Sequence, residues 1–216
     1  MSELPPTPRS TARRRAHRAS HHRCDIDAVI AAAPVAHIGV VDNGLPLVIH
    51  ANAWTVDDRL CVHFARDSRI AVLLAAGAEI CVTLTAVDGL VLARSAMHHS
   101  MNYRSAMLFG RAHEITDPGE KAKLLLALVD RLVPGRAAQV RPPEPKELAA
   151  TAVFALPITE GSAKTRSGPP TDRTDDLDRP VWGGVVPLAL VAGAPQPDEH
   201  CGDGLACPVT AFDAVE

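Results

Sequence analysis

Apolar and polar residues alternate with a period of two through much of the first half of the chain. The runs His37–Val41, Pro46–Trp54 and Leu60–Phe64 carry this alternation, and Asp42-Asn43-Gly44 and Asp57-Asp58 separate them. Successive side chains of a strand point to opposite faces, so these runs predict short antiparallel strands joined by tight turns, the pattern of a barrel or sandwich. The period changes in three places. Asp25–Ala33 predicts a short helix, starting near Asp25 or Asp27, with Pro34 beyond its end. In Asp67–Ala76, Ile70, Leu73 and Leu74 recur at helical spacing, Asp67 or Ser68 can cap the start, and Gly77 ends it. Asp117-Pro118-Gly119-Glu120 opens a longer amphipathic helix, with Leu125, Leu128 and Leu132 on its apolar face and Pro134-Gly135 as its stop.

Between the last two helices lies Cys81–Gly110. Cys81–Thr85 reads as a strand, Asp88-Gly89 as a turn, Leu90–Ala93 as a return strand and Ala106–Phe109 as a third. The polar run between Ala93 and Ala106 holds His98, His99, Arg94 and Arg104 with several serines, groups suited to an anion or a proton transfer. Downstream, Arg136–Glu147 is a Pro-rich connection, Leu148–Ile158 a strand region, Glu160–Arg179 a long polar loop and Trp182–Pro187 a final short strand.

Composition narrows the class. The 216 residues suffice for one domain with a sizeable core. Apolar residues make up 47% and aromatics only 3%, so that core must be built from Ala, Val, Leu and Ile. A net charge of -3 gives no general pull toward nucleic acid. No apolar run is long enough for a membrane span, and no secretory leader pattern follows the first arginines. Five cysteines, an odd number without framework spacing, fit a reducing cytoplasm, with Cys61 and Cys81 as packing residues. Residues 1–24 read as a basic arm, disordered in its first part and solvated in the rest. The tail over 191–216 holds Asp198, His200, Cys201, Asp203 and Cys207, but Cys-x5-Cys is not a zinc spacing, and no metal is expected.

The candidate chemistry is spread along the chain. Ser68 and Arg69 bring a hydroxyl and a fixed charge to a helix start, the parts a phosphate site needs. Lys164 and Arg166 lie on the polar loop, as a second cationic pair or as a solvated basic stretch. His98 and His99 are the candidates for proton transfer.

The order of these pieces resembles the FMN-binding split-barrel superfamily that includes pyridoxamine 5'-phosphate oxidase, and within it the flavin-nucleotide-binding and nitroimidazole-resistance branch. The residues that carry the resemblance are His37–Pro46, His63–Arg69, Asp88–Ser95, Asn102–Ser105, Phe109-Gly110, Ser162–Arg166 with Gly168-Pro169-Pro170, and Trp182–Pro187. They cover about residues 25–190. The resemblance implies a mainly β fold with flanking helices: a six-stranded antiparallel split barrel working as a homodimer, with FMN in a groove at the interface. It implies that Ile49, His50, Ala51 and Asn52 line the flavin ring and that Ser68 and Arg69 hold the phosphate. Ile70 stands where the family usually has a further Lys. It also implies that Arg104 and Ser105 reach the cofactor from the hairpin, with Lys164, Arg166 and Trp182 near it. The pyridoxal-phosphate motifs beyond that tryptophan are missing, so the implied function is an FMN-dependent oxidoreductase acting on a small molecule other than pyridoxamine phosphate. A flavin carrier without turnover, or a haem protein using one of the histidines, remains open.

Overall fold

The computed structural model describes residues 2–202 and 204–209. Its elements in chain order begin with a two-residue strand, β1 (Ala19–Ser20), and α1 (Arg23–Ala32). Four strands follow: β2 (Ala36–Asp42), β3 (Leu45–Ala51), β4 (Ala53–Val56) and β5 (Arg59–Ala65). After α2 (Arg69–Ala75) come the two longest strands, β6 (Glu79–Leu92) and β7 (Ser100–Arg111), then β8 (His113–Glu114). The helices α3 (Pro118–Leu132) and α4 (Pro145–Ala150) lead into β9 (Thr151–Pro157), β10 (Gly161–Arg166) and β11 (Gly184–Pro187).

The strands form two antiparallel sheets. The larger has seven strands in the order β1-β10-β7-β6-β2-β3, with β11 added against β6; the smaller runs β4-β5-β9-β8. The chain passes from one sheet to the other at Asn52, between β3 and β4, and at Ala112, between β7 and β8. These two corners close the sheets into a split barrel whose core holds Ile38, Val82, Leu84, Leu108 and Phe154 together with Ile26 and Ile30 of α1. Ile38, Val82 and Leu84 alternate with half-buried or exposed neighbours, as a one-sided sheet requires, whereas Phe154 lies between buried Val153 and Ala155 on a strand covered on both faces. A second cluster, Trp54, Cys61, Leu124, Leu128 and Val153, lies between the smaller sheet and α3. Burial pushes the Cys61 thiol up to about 11, which makes it an unreactive packing group.

Local signals explain the ends of the helices. Ser68 caps α2 by accepting from the Ala71 amide, and Asp117 caps α3 by accepting from the Glu120 amide at 2.7 Å. On α3 the buried stripe runs through Lys121, Leu124 and Leu128, while Leu132 is exposed. The Lys121 ammonium is buried because it donates to the carbonyls of Leu148 and Thr151, at 3.2 and 3.0 Å.

Three sequence expectations are corrected. Asp88-Gly89 is not a turn: β6 runs through it, and the hairpin turns instead around Ala96–His98. Gly89 is there for close approach, since a Cβ on it would lie 3.0 Å from the Val186 carbonyl oxygen of β11. The polar loop expected over Glu160–Arg179 contains β10, an interior strand of the larger sheet, with Gly161 pressed against the backbone of Met107. Lastly, the arm expected to be disordered packs on the barrel. Leu4 is buried in the core, its amide donates to His21 O at 2.9 Å, and Glu3 bridges His22. Arg9 reaches Glu79 and Glu160 and lies 5.0 Å above the Phe109 ring. No helix among the described residues is long and apolar enough to cross a membrane.

Candidate functional site

The face of the larger sheet opposite the core is open, and the register fixes which side chains share it. His50, His37, Thr83, Met107 and Ser162 are successive cross-strand partners and form one row. The next row is Val48, Gly39, Cys81 and Phe109; on the other side, Thr85, Ser105 and Lys164 form a third. Val41 and Val48 are 64% and 65% exposed, and Met107 is exposed on the same face. Apolar side chains in such a contiguous group on a sheet face mark a binding surface. The arm meets this face at two places: Arg9 covers Phe109, and Lys164 Nζ donates to the Arg14 carbonyl.

This face gathers some of the residues singled out in the sequence. His50, Ser105 and Lys164 lie on it, and the Ser105 hydroxyl donates to the Lys164 carbonyl at 3.2 Å. Ile49 and Ala51, the neighbours of His50, turn toward the core, and Asn52 sits exposed at the corner between the sheets. Arg104 alternates with Ser105 and points to the other side. Its guanidinium meets Asp88 at 2.8 Å, and that carboxylate raises its pKa. The irregularity in the hairpin falls at Asp88, between Val87 and Gly89, so Arg104 and Ser105 keep strict alternation.

Ser68 and Arg69 stand at the start of α2, beside the Asp42 end of β2. The Ser68 hydroxyl is used as the helix cap, and Arg69 Nε donates to Asp42, which already balances the charge. A seven-residue helix has little dipole to add.

Around the far end of the hairpin, the segment after β10 straps the loop that carries the histidines. Arg94 holds Asp172 through its amide at 3.0 Å and its guanidinium at 2.9 Å. Burial pushes the Asp172 carboxyl up, but the Arg94 hydrogen bonds outweigh this and leave its pKa lowered. His98 adds to the same positive surroundings, and its Nδ1 is buried without a partner. His99 differs: its Nδ1 lies 3.0 Å from the Ser95 carbonyl, which assigns that nitrogen the proton. Trp182 is 61% exposed, and its ring folds back over Gly184 at the base of β11.

Arg166 is the residue whose environment the sequence conceals most. It is only 7% exposed at the end of β10, beside Tyr103 of β7. Its guanidinium donates to Asn102 Oδ1 and to the carbonyls of Gly168 and Pro169, and no carboxylate faces it among the described residues. Burial lowers its pKa, with Arg18 acting in the same direction.

Comparisons with known proteins follow the same outline. A family model described as pyridoxamine 5'-phosphate oxidase matches residues 22–165. A flavocytochrome from Azotobacter vinelandii is 38% identical, superposes with a TM-score of 0.86, and the alignment covers 94% of each chain. An FAD and heme binding protein from Mycobacterium smegmatis is 37% identical, with a TM-score of 0.84 over 88% of this chain and 94% of its own. A putative 5-nitroimidazole antibiotic resistance protein from Bacteroides thetaiotaomicron shares the fold at 21% identity, a TM-score of 0.58, and 68% and 85% coverage. A search of curated proteins finds no match to this chain.

Proposed function

Because the chain belongs to the pyridoxamine 5'-phosphate oxidase family, we propose that it is a homodimeric flavin-dependent redox protein that also holds haem. The observation that carries this reading is the open sheet face, where His37 and His50 stand among exposed Val41, Val48 and Met107. A planar aromatic cofactor needs an apolar surface with a few polar groups to orient it, and a haem iron takes imidazole as an axial ligand. Two proteins that share over a third of their residues with this chain are named for flavin or haem binding, which supports both groups here. A second copy of the chain covers the rest of the face, since one molecule leaves too much apolar surface in water.

A bound flavin supplies two-electron and one-electron transfer, and haem supplies one-electron transfer. The protein's part is to bind, orient and exclude water. His50 and Ser105 would hold the cofactor from the sheet, and Lys164 would add a positive charge beside it. His98, with its unpartnered Nδ1 in the strapped loop, exchanges the proton. The substrate is a small molecule, and the absent pyridoxal-phosphate motifs argue against pyridoxamine phosphate.

The test is extraction of the purified full-length protein with acid and identification of the released molecules by mass, beside its absorption spectrum. Flavin bands with a Soret band are expected, and the mass separates FMN from FAD. Colourless protein that takes up neither group would overturn the reading. Oxidation of a reduced nicotinamide by the loaded protein with an acceptor separates an enzyme from a carrier.

A further inference from the structure

The arm and the end of β10 enclose a cleft that none of the roles above uses. Its volume is about 460 Å³, and its walls include His17, Arg18, Thr165, Arg166, Ser167 and Thr171. No carboxylate lines it, and Asp172, the next residue in the chain, is taken up by Arg94. A buried arginine normally has an acid opposite it. Arg166 has only an amide oxygen and two backbone carbonyls. These bonds come twice from Nη1 and once from Nη2, and Nε–H makes none among the described residues. A guanidinium with donor capacity left over takes the oxygens of a phosphoryl or carboxylate group.

The arm adds to this positive charge. Arg13, Arg14, Arg15 and Arg18 have no ion-pair partner among the described residues, in contrast to Arg9. Arg15 sits in the left-handed region at φ 58°, an unfavourable conformation for a side-chain-bearing residue. That turn starts the short 3-10 helix Ala16–Arg18 and sets His17 and Arg18 against the end of β10. Lys164 Nζ donates to the Arg14 carbonyl and ties the turn to the strand. Cationic forks flanked by the hydroxyls of Thr165, Ser167 and Thr171 favour a tetrahedral anion with several acceptor oxygens over a single carboxylate.

We propose that this cleft binds the phosphoryl group of a nucleotide, held by Arg166 from the barrel and Arg18 from the arm. The inference rests on the flavin reading in that it gives the cofactor's phosphate a place away from Ser68 and Arg69. The pairing of Arg69 with Asp42 is the reason for looking elsewhere.

The experiment is calorimetric titration of the full-length protein, freed of bound small molecules, with inorganic pyrophosphate, FAD, FMN and riboflavin. It is run on the wild type and on Arg18→Ala, Arg166→Lys and Arg69→Ala. Arg18 is half exposed, so its truncation leaves the barrel folded even if changes at Arg166 do not. Arg18→Ala is expected to weaken pyrophosphate, FMN and FAD by roughly tenfold or more and to leave riboflavin unchanged. If no flavin binds but pyrophosphate does, and Arg18→Ala weakens it, the cleft stands and the flavin reading falls. Flavin nucleotides bound equally by wild type, Arg18→Ala and Arg166→Lys would overturn the cleft and leave the flavin reading intact. A larger loss in Arg69→Ala than in Arg18→Ala, equal losses for riboflavin and FMN, or no uptake of pyrophosphate by the wild type would also overturn it.

Discussion

His37 of β2 and His50 of β3 are direct cross-strand partners, side by side on the open face of the larger sheet. Both are exposed, so replacing either removes no core packing. Haem held on this face is expected to lose its Soret band in His37→Ala or His50→Ala, while flavin absorbance stays. Unchanged haem in the double variant moves the ligand off this face, and His98→Ala is then the next variant to measure.

Val48 is 65% exposed, in the row next to that pair. Val48→Glu puts a charge where a second subunit is proposed to dock. An unpaired buried charge costs about 3–5 kcal/mol, so dimer affinity should fall a hundredfold or more. Sedimentation velocity is expected to show a dimer for the wild type and a monomer for the variant. Identical profiles would mean that copies meet elsewhere.

Two glycines rank against each other. A Cβ at Gly161 would lie 2.6 Å from the Met107 carbonyl oxygen, whereas at Gly89 the nearest atom is 3.0 Å away. Backbone cannot yield as a flexible side chain does. Gly89→Ala should cost about 1–3 kcal/mol, and Gly161→Ala more, in urea unfolding. The reverse order would show that β11 is held more rigidly than β10.

The His63 ring lies 5.9 Å from Trp54, and burial lowers its pKa below the usual histidine value. The folded chain therefore favours the neutral ring, and the unfolded chain takes the proton more readily. The resulting stability is complete above the unfolded pKa of about 6.5 and is lost as pH falls through and below that value. His63→Phe should lose less stability than the wild type between about pH 7 and 5, read as melting temperature against pH. Parallel curves would place the acid sensitivity in the carboxylates alone.

The barrel was legible because its strands alternate cleanly and its turns carry Asn-Gly and Asp-Asp, as at Asp42–Gly44 and Asp57-Asp58. The site was less so. Asp88-Gly89 has the letters of a turn, yet Gly89 serves the approach of β11, a contact between residues nearly a hundred positions apart. β10 was hidden because Ser162-Ala163-Lys164-Thr165-Arg166 offers only one apolar residue to the core, Ala163. The arginine run of the arm looked like a solvated tail. Its anchors are one apolar residue, Leu4, the Arg9 ion pairs with Glu79 and Glu160, and a strand of two residues whose pairing with β10 no local pattern announces. Arg69 appeared available in the sequence, and only the fold brings Asp42 against it.

The pairing of Ala19 with Lys164 and of Ser20 with Ala163 also bears on how the chain is made. During synthesis the arm emerges well before its partner strand and waits for most of the domain between them. Contacts of such long sequence separation form late and slow the folding of the parts they close. A nascent or truncated chain that stops short of Gly161 would carry its arginines on an arm with no β10 to hold it, open to any polyanion nearby. Resistance of the bond after Arg15 to trypsin would then report that β10 has been made and folded into place, a quality check set by topology alone.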